Sequence, residues 1–268
     1  MPAYPEENVA VSSRRAFAGW VREEPQGRVF GQVVVRALPR GGFEVRHVDD
    51  RESEDLEAFS DPGDAREIAR LTASGEHRPL KSAPNLRRGW VLRLRDERQL
   101  VRTMNYLYPA GVAHWYLLRE GRLKTTSFRR SAARQSGIYE RVRHLSDEAV
   151  QNAARACCGD EVCLKRTLWD VDDGVPLEMD RGGGEIPCPE PCSVFISFAR
   201  RIRYFEREEE TTEGTLTPSE REDLTALVEA GAEGRLALAR EAEFEKPLNR
   251  RRLRYRALTL LPKLRGER

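Results

Sequence analysis

Five cysteines, Cys157, Cys158, Cys163, Cys188 and Cys192, fall within 36 consecutive positions of a 268-residue chain. The first 156 residues and the last 76 have none. Thiols crowded this way in a reducing compartment point to metal or redox chemistry rather than to structural disulfides. Two half-sites can be read. One is Cys157-Cys158-Gly159-Asp160-Glu161-Val162-Cys163, and the other is Ile186-Pro187-Cys188-Pro189-Glu190-Pro191-Cys192-Ser193. The 24 residues between Cys163 and Cys188 include Arg181-Gly182-Gly183-Gly184, a flexible turn that lets two short pairs reach one centre.

Four thiolates complete either a [4Fe–4S] cluster or a structural zinc site. Zinc ribbons and fingers prefer pairs separated by two residues. Here the gaps are four residues, counted from Cys158, and three. The irons of a cubane occupy separate corners, so its ligands tolerate wider spacing. Neither gap reproduces the ferredoxin run. Spacing alone leaves iron–sulfur and zinc both open. Pro187, Pro189 and Pro191 stiffen the second half-site and lower the entropy lost on ligation. Cys192 stands at the start of a helix, where backbone N–H groups can bond a cluster sulfur. Of the two adjacent cysteines, Cys157 follows Val150 and Ala154 on the apolar side of a helix, and Cys158 lies at that helix's end beside Gly159. The reading is that Cys158 ligates and Cys157 packs.

The elements that must position these residues form three regions. Residues 1–100 read as a small α+β unit with no cysteine. In it, a strand over Arg28–Leu38 turns at Pro39-Arg40-Gly41-Gly42 and returns over Phe43–Val48. A helix starts at Asp61-Pro62-Gly63-Asp64 and runs through Leu71, and Trp90–Leu94 is another strand. Residues 101–212 read as mostly helical. Asp96 caps a helix that runs into this region, to Tyr108. Residues 112–118 are apolar. Phe128–Leu145 reads as one helix, and Ser146-Asp147-Glu148 opens another to Cys157, with Gly159 at C′. Ser193 caps a helix whose apolar face is Val194, Phe195, Phe198, Ile202 and Phe205. Residues 213–268 read as a charged helical tail, starting at Thr217-Pro218-Ser219-Glu220. The fold class expected is α+β: a small stabilising domain packed on a mostly helical cluster domain, then the tail.

Composition narrows the function classes. Hydrophobic residues make up 39% and charged residues 34%, enough apolar content for a core but a strongly charged surface. A net charge of +2 gives no global attraction to nucleic acid or membrane. No apolar run approaches the roughly 20 residues of a membrane span. The N-terminus lacks the basic and apolar regions of a signal peptide, so a cytoplasmic location is expected.

The stretches Tyr108-Pro109-Ala110-Gly111-Val112-Ala113-His114-Trp115, Ser131–Tyr139, Thr167-Leu168-Trp169-Asp170 and Ile186–Ser193 resemble a known family. It is the iron–sulfur domain attached behind sirohydrochlorin-cobaltochelatase-like domains in some bacteria and haloarchaea. Arg78–Pro84 and Arg88-Gly89-Trp90 resemble the stabilising domain that precedes it. The likeness covers roughly residues 25–210. It implies a [4Fe–4S] cluster on Cys163, Cys188 and Cys192, with Cys158 as the fourth ligand, and moves the metal from zinc toward iron–sulfur. The chelatase-like domain itself is not found in this sequence. The expected partner is therefore a redox protein or a chelatase-like protein acting in trans, and the expected role is electron transfer or service to tetrapyrrole metal handling.

Other candidates carry less. The four histidines, His47, His77, His114 and His144, form no close ligand pair. Arg134, Gln135 and Tyr139 can either donate hydrogen bonds around a cluster or bond between helices. Arg250–Arg256 with Tyr255 suggests nucleic acid, but a solvated helix face offset by upstream acids is favoured. Gly182-Gly183-Gly184 lacks the Lys-Ser/Thr of a phosphate loop.

Overall fold

In the computed structural model the chain is described over residues 7–69, 86–160, 162–205, 224–225, 228–229, 231–232 and 248–265. It is an α+β protein that divides into two compact units. The first is Met1–Thr125 with Cys163–Leu168 and Arg181–Pro189, and the second is Thr126–Val162, Trp169–Asp180 and Glu190–Arg268.

The first unit starts with helix α1 (Glu7–Arg22) and continues into strands β1 (Arg28–Phe30), β2 (Val33–Ala37), β3 (Phe43–His47), β4 (Glu57–Phe59) and β5 (Trp90–Leu94). The sheet order is β1-β2-β3-β5-β4. All neighbours are antiparallel except β4 and β5. A short helix α2 (Ala65–Ile68) follows one 3-10 turn after Asp61, whose side chain caps that turn, and Leu71 falls outside the described residues. Helices α3 (Glu97–Leu107) and α4 (Gly111–Arg119) complete the main body. Asp96 accepts hydrogen bonds from the N–H groups of Arg98 and Gln99, which starts α3 where its sequence predicts. Both helices bury their apolar faces in the core they share with the sheet. The unit therefore runs past the boundary expected near residue 100.

The single strand expected over Arg28–Leu38 is a tight hairpin instead. Gly31 sits at φ +64°, and a Cβ there would lie 2.6 Å from the Tyr108 ring. Only glycine combines that backbone with that approach. The Gln32 N–H donates to the Tyr108 hydroxyl at 2.8 Å, closing the turn from a residue 76 positions away. Around it Phe17, Trp20, Phe30, Tyr108 and Trp115 form an aromatic cluster with centroid separations of 5.1–6.4 Å. Edge-to-face pairs of this kind stabilise by about 0.5–1.5 kcal/mol each beyond burial.

The second unit holds α5 (Phe128–Ala133), α6 (Asp147–Cys158), α7 (Ser193–Phe205) and α8 (Leu248–Arg265). The one helix expected over Phe128–Leu145 is divided. It stops after Ala133, and a 3-10 segment over Gly137–His144 follows, opened by Gly137 at φ +58°. Ile138, within that segment, is 63% exposed. Ser127 and Ser146 cap α5 and α6 with their hydroxyls. Phe195 meets Phe128 and Trp169 edge-on at 5.9 and 4.9 Å. The expected helix start at Thr217 lies outside the described residues. Helix α8 packs against α6, and Tyr255 is buried edge-on to Phe198 at 6.0 Å. That burial removes the Tyr255 ring from the nucleic-acid reading of the basic segment, which needs an exposed stacking face. Among the described residues no helix is long and apolar enough to cross a membrane.

Candidate metal centre

The cysteines are distributed over both units, and each unit holds its own in a different way. In the first, Cys163 precedes β6 (Lys165–Thr167) and Cys188 ends β7 (Ile186–Cys188). The two strands are parallel, with Lys165 opposite Ile186, Arg166 opposite Pro187 and Thr167 opposite Cys188. The chain can pair here because Gly184 passes close to its neighbour: a Cβ on it would lie 2.4 Å from the Leu164 carbonyl oxygen. The Leu168 N–H donates to the Cys188 carbonyl at 3.0 Å, and the Thr167 N–H to the Arg181 carbonyl at 2.7 Å. Ile186 is buried in the first unit's core and Leu164 packs on its edge, so the ladder is anchored by apolar contact as well. The Lys165 N–H donates to Cys163 Sγ at 3.4 Å. That bond stabilises negative charge on the sulfur.

In the second unit, Cys157 and Cys158 close α6 and both are buried. The face of α6 is built from Ala149, Val150, Ala153 and Ala154, small residues that let α7 lie close. Gly159, expected in the left-handed C′ conformation, is extended instead, at φ −68° and ψ 154°. Its missing side chain makes room rather than a turn. A Cβ would lie 3.4 Å from an Arg254 guanidinium nitrogen, brought there by α8. At the second half-site Cys192, not Ser193, occupies the cap of α7. The Ile196 N–H donates to the Cys192 carbonyl at 3.0 Å, and Ser193 is the first helical residue. Cys192 is half-buried.

The residues weighed as supporting groups have specific places. Arg134 pairs with Glu190 at 2.7 Å, tying the middle of the Pro-rich half-site to the end of α5. Both side chains are exposed, so this pair contributes at most about 1 kcal/mol. Gln135 donates to the Ser131 carbonyl, and the Tyr139 ring receives the Arg200 guanidinium at 5.3 Å. These are contacts within the helical unit. Trp169 is a core aromatic, and Asp170 pins the following turn by accepting from the Leu177 N–H. His114 lies half-buried on α4 in the first unit. Tyr108 and Trp115, from the stretch that carries the resemblance, belong to the first unit's aromatic core. Sequence reasoning passed over α1 and gave Thr167 no role of its own, although its place opposite Cys188 decides its surroundings.

None of the five cysteines is in a disulfide. Among the described residues, no three or more His, Cys, Asp or Glu side chains are grouped to hold a metal ion. The donor chemistry within each unit still fits thiolate ligation. The sulfurs are wholly or largely withdrawn from water, one receives a backbone N–H, and Thr167 beside Cys188 presents a buried hydroxyl with no hydrogen-bond partner among the described residues.

Comparison with known proteins bears on the same residues. Residues 13–119 match the DR2241 stabilising domain, and residues 120–201 match the 4Fe-4S iron-sulfur cluster binding domain. The second match spans all five cysteines. Among solved structures the chain is similar to DR2241 from Deinococcus radiodurans, with 26% identity and a TM-score of 0.61. That protein is described as multi-domain, with structural similarity to chelatases and two additional novel domains. The alignment covers 75% of this chain and 43% of DR2241, so the chain spans less than half of that protein. No curated protein matches.

Proposed function

We propose that Cys158, Cys163, Cys188 and Cys192 supply four thiolates to a [4Fe–4S] cluster, and that the protein transfers single electrons through it. The observation that carries this reading is the match of residues 120–201 to a 4Fe-4S cluster binding domain, which contains all four thiols. When bound, the cluster supplies a reversible one-electron change without proton transfer. The chain's own residues set its conditions. Cys188 is held in the β6–β7 ladder, and Cys163, two residues before β6, receives the Lys165 N–H at its Sγ. Cys158 and Cys192 are held at helix ends, one as the last residue of α6 and the other as the cap of α7. Cys157 packs inside α6. With cysteine on every iron, no open coordination position remains for a substrate, which favours electron transfer over Lewis-acid catalysis.

The physiological setting is read from DR2241. A chelatase-like protein acting in trans would place this chain beside tetrapyrrole metal handling, and a redox protein would deliver or accept its electron. Working in the cytoplasm would keep the thiols reduced. The test is anaerobic purification of the full chain followed by iron, zinc and acid-labile sulfide analysis. A brown protein with four irons and four sulfides per chain, bleached by dithionite, supports the proposal. A colourless protein with one zinc overturns it in favour of a zinc-stabilised interaction module.

A further inference from the structure

Thr167 has a buried hydroxyl whose surroundings leave it one kind of partner. Its residue is 1% exposed, and its Oγ1 has no hydrogen-bond partner among the described residues. Burying a hydroxyl without an acceptor is costly, so threonine is a poor choice for a place that valine fills equally well. The general β propensity of threonine does not explain it, because valine shares that propensity. The position is directly opposite Cys188 in the parallel β6–β7 ladder. Paired residues in a ladder project to the same face, and so do residues two apart. Thr167 and Cys188 therefore share the face that Ile186 buries in the first unit's core. The backbone of both residues is engaged as well. The Thr167 N–H donates to Arg181, and the Cys188 carbonyl accepts from Leu168.

We infer that the Thr167 hydroxyl is a hydrogen-bond donor to the sulfur of the cofactor held at Cys188, and that it positions and tunes that cofactor. The inference rests on the reading of Cys188 as a cluster ligand. A donor aimed at a cluster or ligand sulfur stabilises the more negative, reduced state and raises the reduction potential. Threonine is then needed for its proton and valine will not serve. The residue acts through the cofactor and does not itself react.

The test compares wild type, Thr167→Val and Thr167→Ser, each as the full chain purified anaerobically. Iron and sulfide content are measured first. Potentials follow by titration with dithionite in the presence of viologen mediators, the dithionite supplying the electron. The expected result is that T167V keeps its cluster, with the ratio of reduced to oxidised cluster at fixed potential falling about tenfold, equivalent to roughly 59 mV for a one-electron couple. T167S should return most of that shift. A merely structural role would move neither value in that pattern. T167V has the shape of the native residue. If it nonetheless fails to fold, Thr167→Ala takes its place with the same expectation. Equal potentials in wild type, the hydroxyl-less variant and T167S overturn the inference while leaving the cluster intact. A T167S protein that behaves like T167V also overturns it. If wild type itself carries no iron or sulfide, the cluster reading fails, and that outcome is distinct because it appears before any variant is compared.

Discussion

The two cysteine-bearing regions solve the same problem by different means. Cys188 sits on a two-stranded parallel ladder and Cys163 two residues before its first strand, where backbone hydrogen bonds set the position of the chain and one N–H reaches a sulfur directly. Cys158 and Cys192 sit at helix ends, where position depends on how α6 and α7 pack through alanine, valine and phenylalanine. A ladder transmits a local error to every rung. A helix end surrounded by side chains can adjust by rotamer changes. The strand-borne pair should therefore be the intolerant one and the helix-borne pair the adaptable one.

The largest effect expected is from deleting a ligand outright, which no adjustment of its surroundings can offset even at the adaptable helix end. Cys158→Ser should remove most of the iron, and Cys157→Ser should leave at least most of it in place, as measured by iron per chain after anaerobic purification. Iron lost in C157S and kept in C158S would exchange the roles of the two residues.

A pair of glycines separates the two regions more sharply. Gly184→Ala places a methyl 2.4 Å from a backbone carbonyl that cannot move without opening the ladder. It should cost about 1–3 kcal/mol and lower cofactor occupancy. Gly159→Ala meets an arginine side chain at 3.4 Å, which can swing away. It should stay within about 0.5 kcal/mol of wild type. Denaturant midpoints for the two variants provide the comparison. Equal losses would mean that the helix end is as rigid as the ladder.

The smallest effect is a pH dependence confined to the first unit. Burial holds His47 below its ordinary value of 6.5, against the opposing pull of Asp49 and Asp50, and Arg88 adds to the lowering. The folded state therefore binds this proton less readily than the unfolded chain. Stability from the neutral ring is complete above pH 6.5 and declines as pH falls from 6.5 through the lower folded value. Thermal midpoints should fall over that window in wild type. They should fall less in His47→Asn, which keeps an acceptor for the Asp49 N–H that now bonds His47 Nδ1.

What could be read in the sequence follows the range of the forces involved. Helix α3 was legible because its cap, Asp96, is adjacent to it, and β3 because its alternation is local. The hairpin at Gly31 was hidden because its closing group, Tyr108, is 76 residues away and valines continue on both sides. Helix α1 places Val9, Ser13, Phe17 and Val21 at four-residue spacing, and that periodicity was available but unread. The break at Gly137 was masked by apolar residues that suited one long helix. At the candidate centre, the clustering of cysteines and the two half-sites were legible as motifs. Their division between strands and helix ends was not. The segments 163–168 and 181–189 return to the first unit through contacts such as Ile186 in its core, far from their sequence neighbours.

The central claim is that this chain holds one [4Fe–4S] cluster on cysteine. Native mass spectrometry of the anaerobically purified full chain tests it most directly, because it weighs the cofactor without assuming its identity. The account predicts one species heavier than the bare chain by four irons and four sulfides, reverting to bare mass in Cys188→Ser. A chain carrying a single zinc, or a wild-type chain of bare mass after reconstitution with iron and sulfide, would contradict it.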